Sequence, residues 1–300
     1  MRRRLKDFAI VATPAQWLEG ARLRTWSASI TPVLVGSGAA AAVDAFVWWK
    51  AALALVVSVA LQVGSNYAND YSDGIRGTDD HRVGPQRLVG SGAAKPAAVK
   101  AAAFACFALA AVCGLVLALT TAWWLILIGA AAVAAAWFYT GGARPYGYNA
   151  LGEISVFIFF GLVAVIGTTF VQADTVTWPA VAGALGIGAQ TCALLVANNL
   201  RDIPTDRVSG KRTLAVVMGD RMTRTLYVVL QAVAYVMVLL LAVTTTPWTL
   251  LALLAVPLAL RPVATILRGT TGRALIPVLR DTGVAELAYA VLLTVGLILT

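Results

Sequence analysis

The sequence predicts an all-α membrane protein, a polytopic bundle of nine transmembrane helices, and three observations support this fold class. The chain has 300 residues, of which 60% are hydrophobic and only 12% are charged, whereas soluble domains carry about 25% charged residues. Its mean hydropathy is +0.81. Nine runs of roughly 20 mainly apolar residues are each long enough to cross a bilayer as a helix, and they lack the alternation of lipid-facing barrel strands.

The nine runs are rich in Ala, Leu, Val and Gly, and they define the predicted helices in order. We expect one integral-membrane domain over residues 1–300, with two long polar connections at 69–96 and 199–224. The runs cover residues 23–43, 48–68, 97–119, 122–140, 151–171, 178–198, 225–244, 247–267 and 283–300.

The basic residues predict which side of the membrane each connection faces. With the amino terminus, MRRRLK, in the cytoplasm, all but Lys50 of the 23 Lys and Arg residues lie on the cytoplasmic side or at its helix ends. This asymmetry agrees with the positive-inside rule, and nine spans then leave the carboxyl terminus outside. The net charge of +9 follows from this topology, so we expect no nucleic-acid partner. Tryptophans gather in the outer turns, as in an interfacial aromatic belt: Trp48, Trp49, Trp123, Trp124, Trp178 and Trp248.

Acidic residues are concentrated in one polar stretch, SNYANDYSDGIRGTDDHRVGPQR (65–87), which follows the second apolar run. Acidic groups contribute little to topology, and ionisable groups at membrane depth are candidates for function. Asp79 is a candidate ligand, whereas Asp80 is expected to be solvated and His81 to be a bystander. Four of the 14 acidic residues of the chain lie in this stretch: Asp70, Asp73, Asp79 and Asp80.

A second polar stretch, NNLRDIPTDRVSGKRTL (198–214), partly repeats the first. The spacing Asn66-x-x-x-Asp70 recurs as Asn198-x-x-x-Asp202, 132 residues later, and each copy closes an even-numbered predicted span. The pattern suggests two similar four-helix halves followed by a ninth helix. Membrane enzymes and transporters both use such repeats, with the site between the halves.

The acidic residues of the two stretches have helical spacing. Asp70 and Asp73 lie at i, i+3, so they share a helix face with the preceding Asn66. Asp202 and Asp206 lie at i, i+4, and the sequence predicts a kink or a new helix start at the intervening Pro204.

Facing carboxylate clusters of this kind would repel each other unless a cation lay between them. Mg²⁺ is usually held by a few carboxylates together with the phosphates of a substrate. We therefore predict that the two stretches hold Mg²⁺ bound to a diphosphate, and that their carboxylates are the catalytic groups. The predicted metal ligands are Asp70, Asp73, Asp79, Asp202 and Asp206, with Asn66 and Asn198 as neutral oxygen donors.

Basic residues on the same side of the membrane are candidates for binding the phosphates. Arginine can grip phosphate oxygens with two parallel hydrogen bonds. For each single residue, an ordinary positive-inside loop charge is an equally good interpretation. The candidates are Arg82, Arg87, Arg144, Lys211 and Arg212.

A third stretch, YTGGARPYGYNALGE (139–153), is a candidate for binding an aromatic substrate. Its glycines and Pro145 allow a tight turn, and Tyr146 and Tyr148 could stack on a ring. Glu153 could orient a substrate, or it could simply cap the next helix. The alternative for the whole stretch is a short turn between the fourth and fifth spans.

These three stretches resemble the UbiA superfamily of intramembrane aromatic prenyltransferases, which carry an Asn/Asp-rich motif after the second helix and a DxxxD motif after the sixth. NDYSDGIRGTDDHRVGPQR, YTGGARPYGYNALGE and NNLRDIPTDRVSGKRTLAVVMG are most similar to the bacterial 1,4-dihydroxy-2-naphthoate polyprenyltransferases of menaquinone synthesis. The resemblance covers essentially the whole chain. The chain departs from the pattern NDxxDxxxD, because Asp73 is followed by an acidic residue only at Asp79, and which of these two contacts the metal stays open.

The resemblance implies an enzyme that joins a polyprenyl diphosphate to 1,4-dihydroxy-2-naphthoate, releases diphosphate and carbon dioxide, and gives a demethylmenaquinone. It implies a Mg²⁺ cofactor, a location in the lipid of the cytoplasmic membrane and an active site that faces the cytoplasm. No obligate protein partner is expected. An allylic cation would need shielding from water, and aromatic faces stabilise cations. The candidate aromatic residues are Tyr67, Tyr71, Trp137 and Tyr139.

Two other functions stay open at this stage. A prenyltransferase for another aromatic acceptor, such as 4-hydroxybenzoate or homogentisate, would carry the same metal motifs. A cation-binding transporter could also be built from two similar halves. A transporter would favour carboxylates near mid-membrane, however, whereas these carboxylates lie at helix ends next to basic residues.

Overall fold

The computed structural model describes residues 12–78 and 87–300, and the regular structure of these residues is helical. Ten helices follow one another in the described ranges, and separate 3₁₀ turns lie at Leu23–Thr25 and Tyr146–Tyr148. The last two helices each begin with a 3₁₀ segment, at Pro247–Ala255 and Gly272–Leu275. They are α1 (Pro14–Ala21), α2 (Ser27–Ala41), α3 (Trp48–Arg76), α4 (Pro96–Leu119), α5 (Leu125–Phe138), α6 (Gly152–Ala173), α7 (Trp178–Val208), α8 (Leu214–Thr244), α9 (Pro247–Leu267) and α10 (Gly272–Ile298).

Seven helices of the described chain, α3, α4 and α6–α10, are long and apolar enough to cross a membrane. α2 and α5 are also apolar but are shorter. Each of the nine apolar runs in the sequence overlaps one of the helices α2–α10. The expected all-helical membrane fold is therefore confirmed, with seven candidate spans.

Two helices extend beyond the apolar runs that predict them. α3 continues through its polar residues to Arg76, where Gly77 ends it in the left-handed region with φ 72°. α7 continues to Val208, and α8 begins at Leu214. The expectation that 69–96 and 199–224 are loops is thus wrong for 69–76, 199–208 and 214–224. Several polar side chains of these extensions are buried within the bundle, among them Asp73, Asp202 and Arg224.

The predicted new helix start at Pro204 is wrong, since α7 runs without interruption from Trp178 to Val208. Pro204 removes one backbone hydrogen bond, but it is exposed and lies in the last two turns of the helix, where that loss is small. A break occurs instead near the start of α8, where Gly219 has φ 79° and ψ 171°.

α7 is the central helix of the bundle. Of the seven candidate spans it is the most buried, with 83% of its apolar window inside the protein, against 28–50% for the others. It packs against α2, α6, α8 and α10. Small residues let neighbouring helices approach closely in a membrane, and α7 carries Gly183, Gly186 and Gly188 at buried positions.

One close helix contact joins α6 to α7. A Cβ atom built on Gly161 would lie 2.6 Å from the Cα atom of Gly188 and 2.9 Å from the carbonyl oxygen of Ala184. The backbones therefore touch, and only a residue without a side chain fits. Residues Phe157–Val163 of α6, which include this contact, form a π-helix.

We expect Gly161→Ala to destabilise the protein by about 1–3 kcal/mol, because the added methyl group would force two packed backbones apart. Thermal unfolding in detergent measures the effect. Gly129→Ala in α5 is the matched control, since a Cβ there meets no heavy atom within 4 Å and alanine favours helix more than glycine does. Equal melting temperatures for the two variants would contradict the close contact.

Candidate active site

A cavity of about 400 Å³ lies between helices α2 to α7. Its lining residues on α3 recur at helical spacing, so one stripe of the helix faces it. We name two regions of this cavity by their residues. The polar end is lined by Asn66, Asn69, Asp73, Arg87, Asn198, Asp202, Asp206 and Lys211, and the apolar end by Val33, Ala54, Leu117, Leu125 and Val171.

Asp73 joins three segments at the polar end. Its buried carboxylate accepts a hydrogen bond from the hydroxyl group of Tyr148 and lies 3.2 Å from Lys211 Nζ. Arg87 Nη2 lies 3.9 Å from the same carboxylate. The end of α3, the turn before α6 and the segment after α7 therefore meet at this one acidic group.

Asp202 and Asp206 line the cavity from the last turns of α7. The guanidinium group of Arg201 donates two hydrogen bonds to Asp202, from Nε at 2.6 Å and from Nη2 at 2.5 Å. Arg201 also donates to the side-chain oxygen of Asn198 at 2.9 Å. Thr213 donates to Asp206 at 3.4 Å. Oxygen donors thus line the α7 side of the polar end, and their charges are partly neutralised.

The residues predicted from the sequence fall into three groups. Those that line the cavity are Asn66, Asp73, Arg87, Tyr139, Tyr146, Tyr148, Asn198, Asp202, Asp206 and Lys211. Those that lie elsewhere in the described chain are Asp70, Arg144, Glu153 and Arg212. Asp79 and Arg82 lie outside the described residues, as do Asp80 and His81.

Asp70 binds backbone rather than facing the cavity. It is fully buried, and its two carboxylate oxygens accept hydrogen bonds from the N–H groups of Leu88 and Val89 at 2.8 and 2.9 Å. These bonds attach the residues after Arg87 to α3. In this structure Asp70 positions the segment that carries Arg87, and its predicted contact with a metal has no support from its orientation.

Arg144 and Arg212 are exposed and do not line the cavity. The backbone N–H of Arg212 donates to the carbonyl oxygen of Tyr148 at 3.0 Å, so this residue connects two loops. Glu153 is buried in the first turn of α6 and accepts a hydrogen bond from Asn199 at 2.9 Å. Its carboxylate links α6 to α7 beside the cavity.

Tyr148 is held between two cations. Lys211 Nζ lies 4.7 Å from the centre of its ring and the Arg76 guanidinium carbon lies 5.7 Å from it. Burial, followed by the negative charge of Asp73 and the hydrogen bond to it, raises the pKa of the Tyr148 hydroxyl group. The phenol therefore stays protonated at neutral pH and donates to Asp73.

Three of the four aromatic residues expected to face an allylic cation do not line the cavity. The hydroxyl group of Tyr67 donates to the carbonyl oxygen of Trp17. Tyr71 stacks on Trp137 at 6.2 Å, and Lys100 lies against both rings. The rings of Tyr71 and Trp137 therefore already have a cation of the protein, Lys100, beside them. Tyr139 alone among the four lines the cavity in the described chain.

The structure adds polar lining residues that the sequence analysis missed, chiefly Arg22, Asn69 and Asn199. Arg22 follows α1 with a left-handed backbone, φ 56°, and belongs to no motif. Asn69 and Asn199 do belong to a pattern, but in a different register from the predicted one.

When α3 and α7 are aligned so that their cavity-facing residues coincide, the two helices are 133 residues apart in sequence, not 132 as the sequence pattern suggested. Asn69 and Asp73 on α3 then correspond to Asp202 and Asp206 on α7, and all four line the cavity. The paired asparagines at 198 and 199 allow either register in the sequence. The orientation of Asp70 toward the 88–89 backbone decides between the two.

No group of three or more His, Cys, Asp or Glu side chains stands close enough to hold a metal among residues 12–78 and 87–300. The three cavity-lining carboxylates of the described chain thus surround the polar end without forming a compact protein cage.

We expect Asp70→Asn to lower the free energy of unfolding by about 1–3 kcal/mol, because the amide would leave one backbone N–H without an acceptor in a buried place. Thermal unfolding in detergent measures the loss. Asp281→Asn is the control, since Asp281 forms an ion pair with the neighbouring, exposed Arg280 and exposed pairs of this kind contribute little. An unchanged melting temperature for Asp70→Asn would show that the two backbone hydrogen bonds do not secure the 87–89 segment.

Known proteins with a similar sequence cover nearly the whole chain. The family model described as the UbiA prenyltransferase family matches residues 29–279. A 1,4-dihydroxy-2-naphthoate octaprenyltransferase of Mycobacterium tuberculosis is 58% identical, with 93% of this chain and 96% of that protein covered. The protein of the same name from Escherichia coli is 33% identical, with 95% of each chain covered.

Solved structures share the fold at low sequence identity. A UbiA homologue from Archaeoglobus fulgidus bound to GPP and Mg²⁺ has a TM-score of 0.66 at 15% identity and covers 95% of this chain and 100% of its own. A UbiA homologue from Aeropyrum pernix in its apo form has a TM-score of 0.67 at 17% identity and covers 91% and 97%. From the family match and the high identity of its relatives, this chain belongs to the UbiA prenyltransferase family.

Proposed function

We propose that this protein transfers a polyprenyl group from polyprenyl diphosphate to 1,4-dihydroxy-2-naphthoate, with loss of diphosphate and carbon dioxide. The product is a demethylmenaquinol, the hydroquinone form that a separate two-electron oxidation converts to a demethylmenaquinone. One observation carries the proposal: a single cavity runs from an end lined by carboxylates and cations to an end lined by aliphatic side chains. A lipid diphosphate has the same two parts. The names of the bacterial relatives support the choice of acceptor and of a polyprenyl donor.

The diphosphate would lie at the polar end, where Lys211 and Arg87 already approach Asp73. A buried ammonium or guanidinium group binds phosphate oxygens through charge-assisted hydrogen bonds. These cations are held in place before substrate arrives, so they can stabilise the charge that develops on the leaving diphosphate without reorganising. This is the main catalytic contribution that we assign to the described residues.

The donor set of the polar end fits Mg²⁺, which prefers oxygen and usually combines one or two carboxylates with substrate phosphates. We infer that Asp73, Asp202 and Asp206 hold it together with the diphosphate, with Asn66 and Asn198 as neutral donors. Bound there, Mg²⁺ would supply Lewis-acid stabilisation of the leaving group. Fold neighbours that contain GPP or DMAPP with Mg²⁺ support this inference.

The aromatic acceptor would lie against the tyrosines of the stretch between α5 and α6. Tyr139 and Tyr146 contact each other edge to face at 5.5 Å, and both line the cavity with Tyr148. A naphthoate ring could pack on these faces. The surrounding aromatic and aliphatic side chains exclude water from the reacting carbon atoms.

We propose further that α2–α10 all span the cytoplasmic membrane, with the amino terminus and the polar end of the cavity facing the cytoplasm. The ends of α3, α5 and α7 that meet at the polar end also carry the basic connections, which favours that side. At the opposite ends of the helices, Trp48, Trp123 and Trp178 are exposed, as interfacial anchors are.

The acceptor and the metal are tested together by product mass. We expect purified protein with octaprenyl diphosphate and Mg²⁺ to convert 1,4-dihydroxy-2-naphthoate to a prenylated, decarboxylated product, and EDTA to abolish the reaction. 4-Hydroxybenzoate and homogentisate serve as competing acceptors. Prenylation of 4-hydroxybenzoate only would overturn the assigned acceptor, and full turnover in EDTA would overturn the role of Mg²⁺.

Two adjacent basic residues test the phosphate site. We expect Lys211→Gln to lower kcat/KM for octaprenyl diphosphate about tenfold to hundredfold, since a hydrogen bond to a charged group contributes about 1.5–3 kcal/mol. Arg212→Gln removes the same charge one residue away, outside the cavity, and should leave kcat/KM nearly unchanged. Steady-state kinetics with varied donor concentration measures both. Equal effects of the two variants would mean that general loop charge, not a specific contact, attracts the diphosphate.

A further inference from the structure

The apolar end of the cavity is lined by side chains from several helices. They belong to one small hydrophobic cluster, and each is the cavity-lining residue of its helix that stands farthest from the polar end. We call this set the floor: Val33 of α2, Ala54 of α3, Leu117 of α4, Leu125 of α5 and Val171 of α6.

Three of these helices carry a glycine one turn from their floor residue, on the side of the polar end. Gly114 precedes Leu117 on α4, which runs away from the polar end. Gly129 follows Leu125 on α5, which runs toward it. On α6, which runs away from the polar end, Gly167 stands four residues before the floor residue Val171. All three glycines line the cavity, so they lie at a common level just above the floor.

The space beside these glycines is open. A Cβ built on Gly129 or Gly167 would meet no heavy atom within 4 Å, and one built on Gly114 would meet only Val57 Cγ2, at 4.0 Å. Gly161 and Gly188, by contrast, touch a neighbouring backbone. Glycine inside a helix costs about 1 kcal/mol relative to alanine, and no backbone contact requires it at the three cavity positions. The open space that these glycines preserve belongs to the cavity itself.

Resting on the function proposed above, we propose that Gly114, Gly129 and Gly167 determine how long a polyprenyl tail the cavity accepts. Gly167 lies fifteen residues beyond Gly152 at the start of α6, roughly 20 Å at about 1.5 Å per residue. A donor whose diphosphate lies at the polar end reaches this level only with a long tail. A side chain at any of the three positions stands in the path of the long tail and leaves a short one free.

The test compares a long and a short donor on the same variants. We expect Gly129→Leu and Gly167→Leu to lower kcat/KM for octaprenyl diphosphate by about tenfold or more, the scale on which apolar pockets discriminate by fit. Activity with geranyl diphosphate should stay within about twofold of the parent protein. Ala131→Leu is the matched control, because Ala131 is exposed on α5 and does not line the cavity; both donors should react with it as with the parent.

Thermal unfolding and donor binding separate the possible failures. The two glycine variants should be at least as stable as the parent, and octaprenyl diphosphate should protect them from unfolding less than it protects the parent. Equal losses with both donors, or unchanged protection by octaprenyl diphosphate, would overturn the proposed role of the glycines. A parent protein that octaprenyl diphosphate protects but that transfers no prenyl group would overturn the proposed function, while the comparison of protection would still decide the role of the glycines.

Discussion

The contact between Asp73 and Lys211 is the interaction on which the polar end of the cavity depends. It joins the end of α3 to the segment after α7, across 138 residues of sequence. A buried ion pair is stable only when further hydrogen bonds satisfy its charges, and here Tyr148 donates to the carboxylate while its ring lies under the ammonium group. The same arrangement fixes the turn before α6. Three walls of the cavity therefore meet at one carboxylate.

The second acidic group is compensated locally instead. Arg201, the neighbour of Asp202 in sequence, forms two hydrogen bonds with it and a third with Asn198. The charge of Asp202 is therefore compensated by a residue of the same helix, α7. The free energy cost of burying charge is thus met in two ways: across the bundle at Asp73 and within one helix at Asp202. Lys211 lines the cavity while it pairs with Asp73, whereas Arg201 does not line it.

The helices could be predicted from hydropathy because apolar runs of about the bilayer thickness have few alternatives. The polar ends of these helices could not be predicted in this way, because hydropathy falls where side chains become polar. Hydropathy carries no information that polar residues such as Asp70 and Asp202 are buried in the folded chain. The cavity-lining role of Asp73, Asp202 and Asp206 followed from their spacing. The orientation of Asp70 did not, because its partners are backbone N–H groups at 88 and 89 that no sequence pattern identifies. Arg22 contributes from a turn without any motif, so only the folded chain brings it to the site.

The π-helical part of α6 has a geometric consequence for the cavity. Ser155, Phe159, Val163, Gly167 and Val171 all line it, a constant step of four residues over most of the helix. In an ordinary α-helix each such step rotates the side chain by about 40°, so the last of them would point to another neighbour. The wider turns of Phe157–Val163 cancel much of that rotation. One edge of α6 thereby lines the cavity from its polar end to its apolar end.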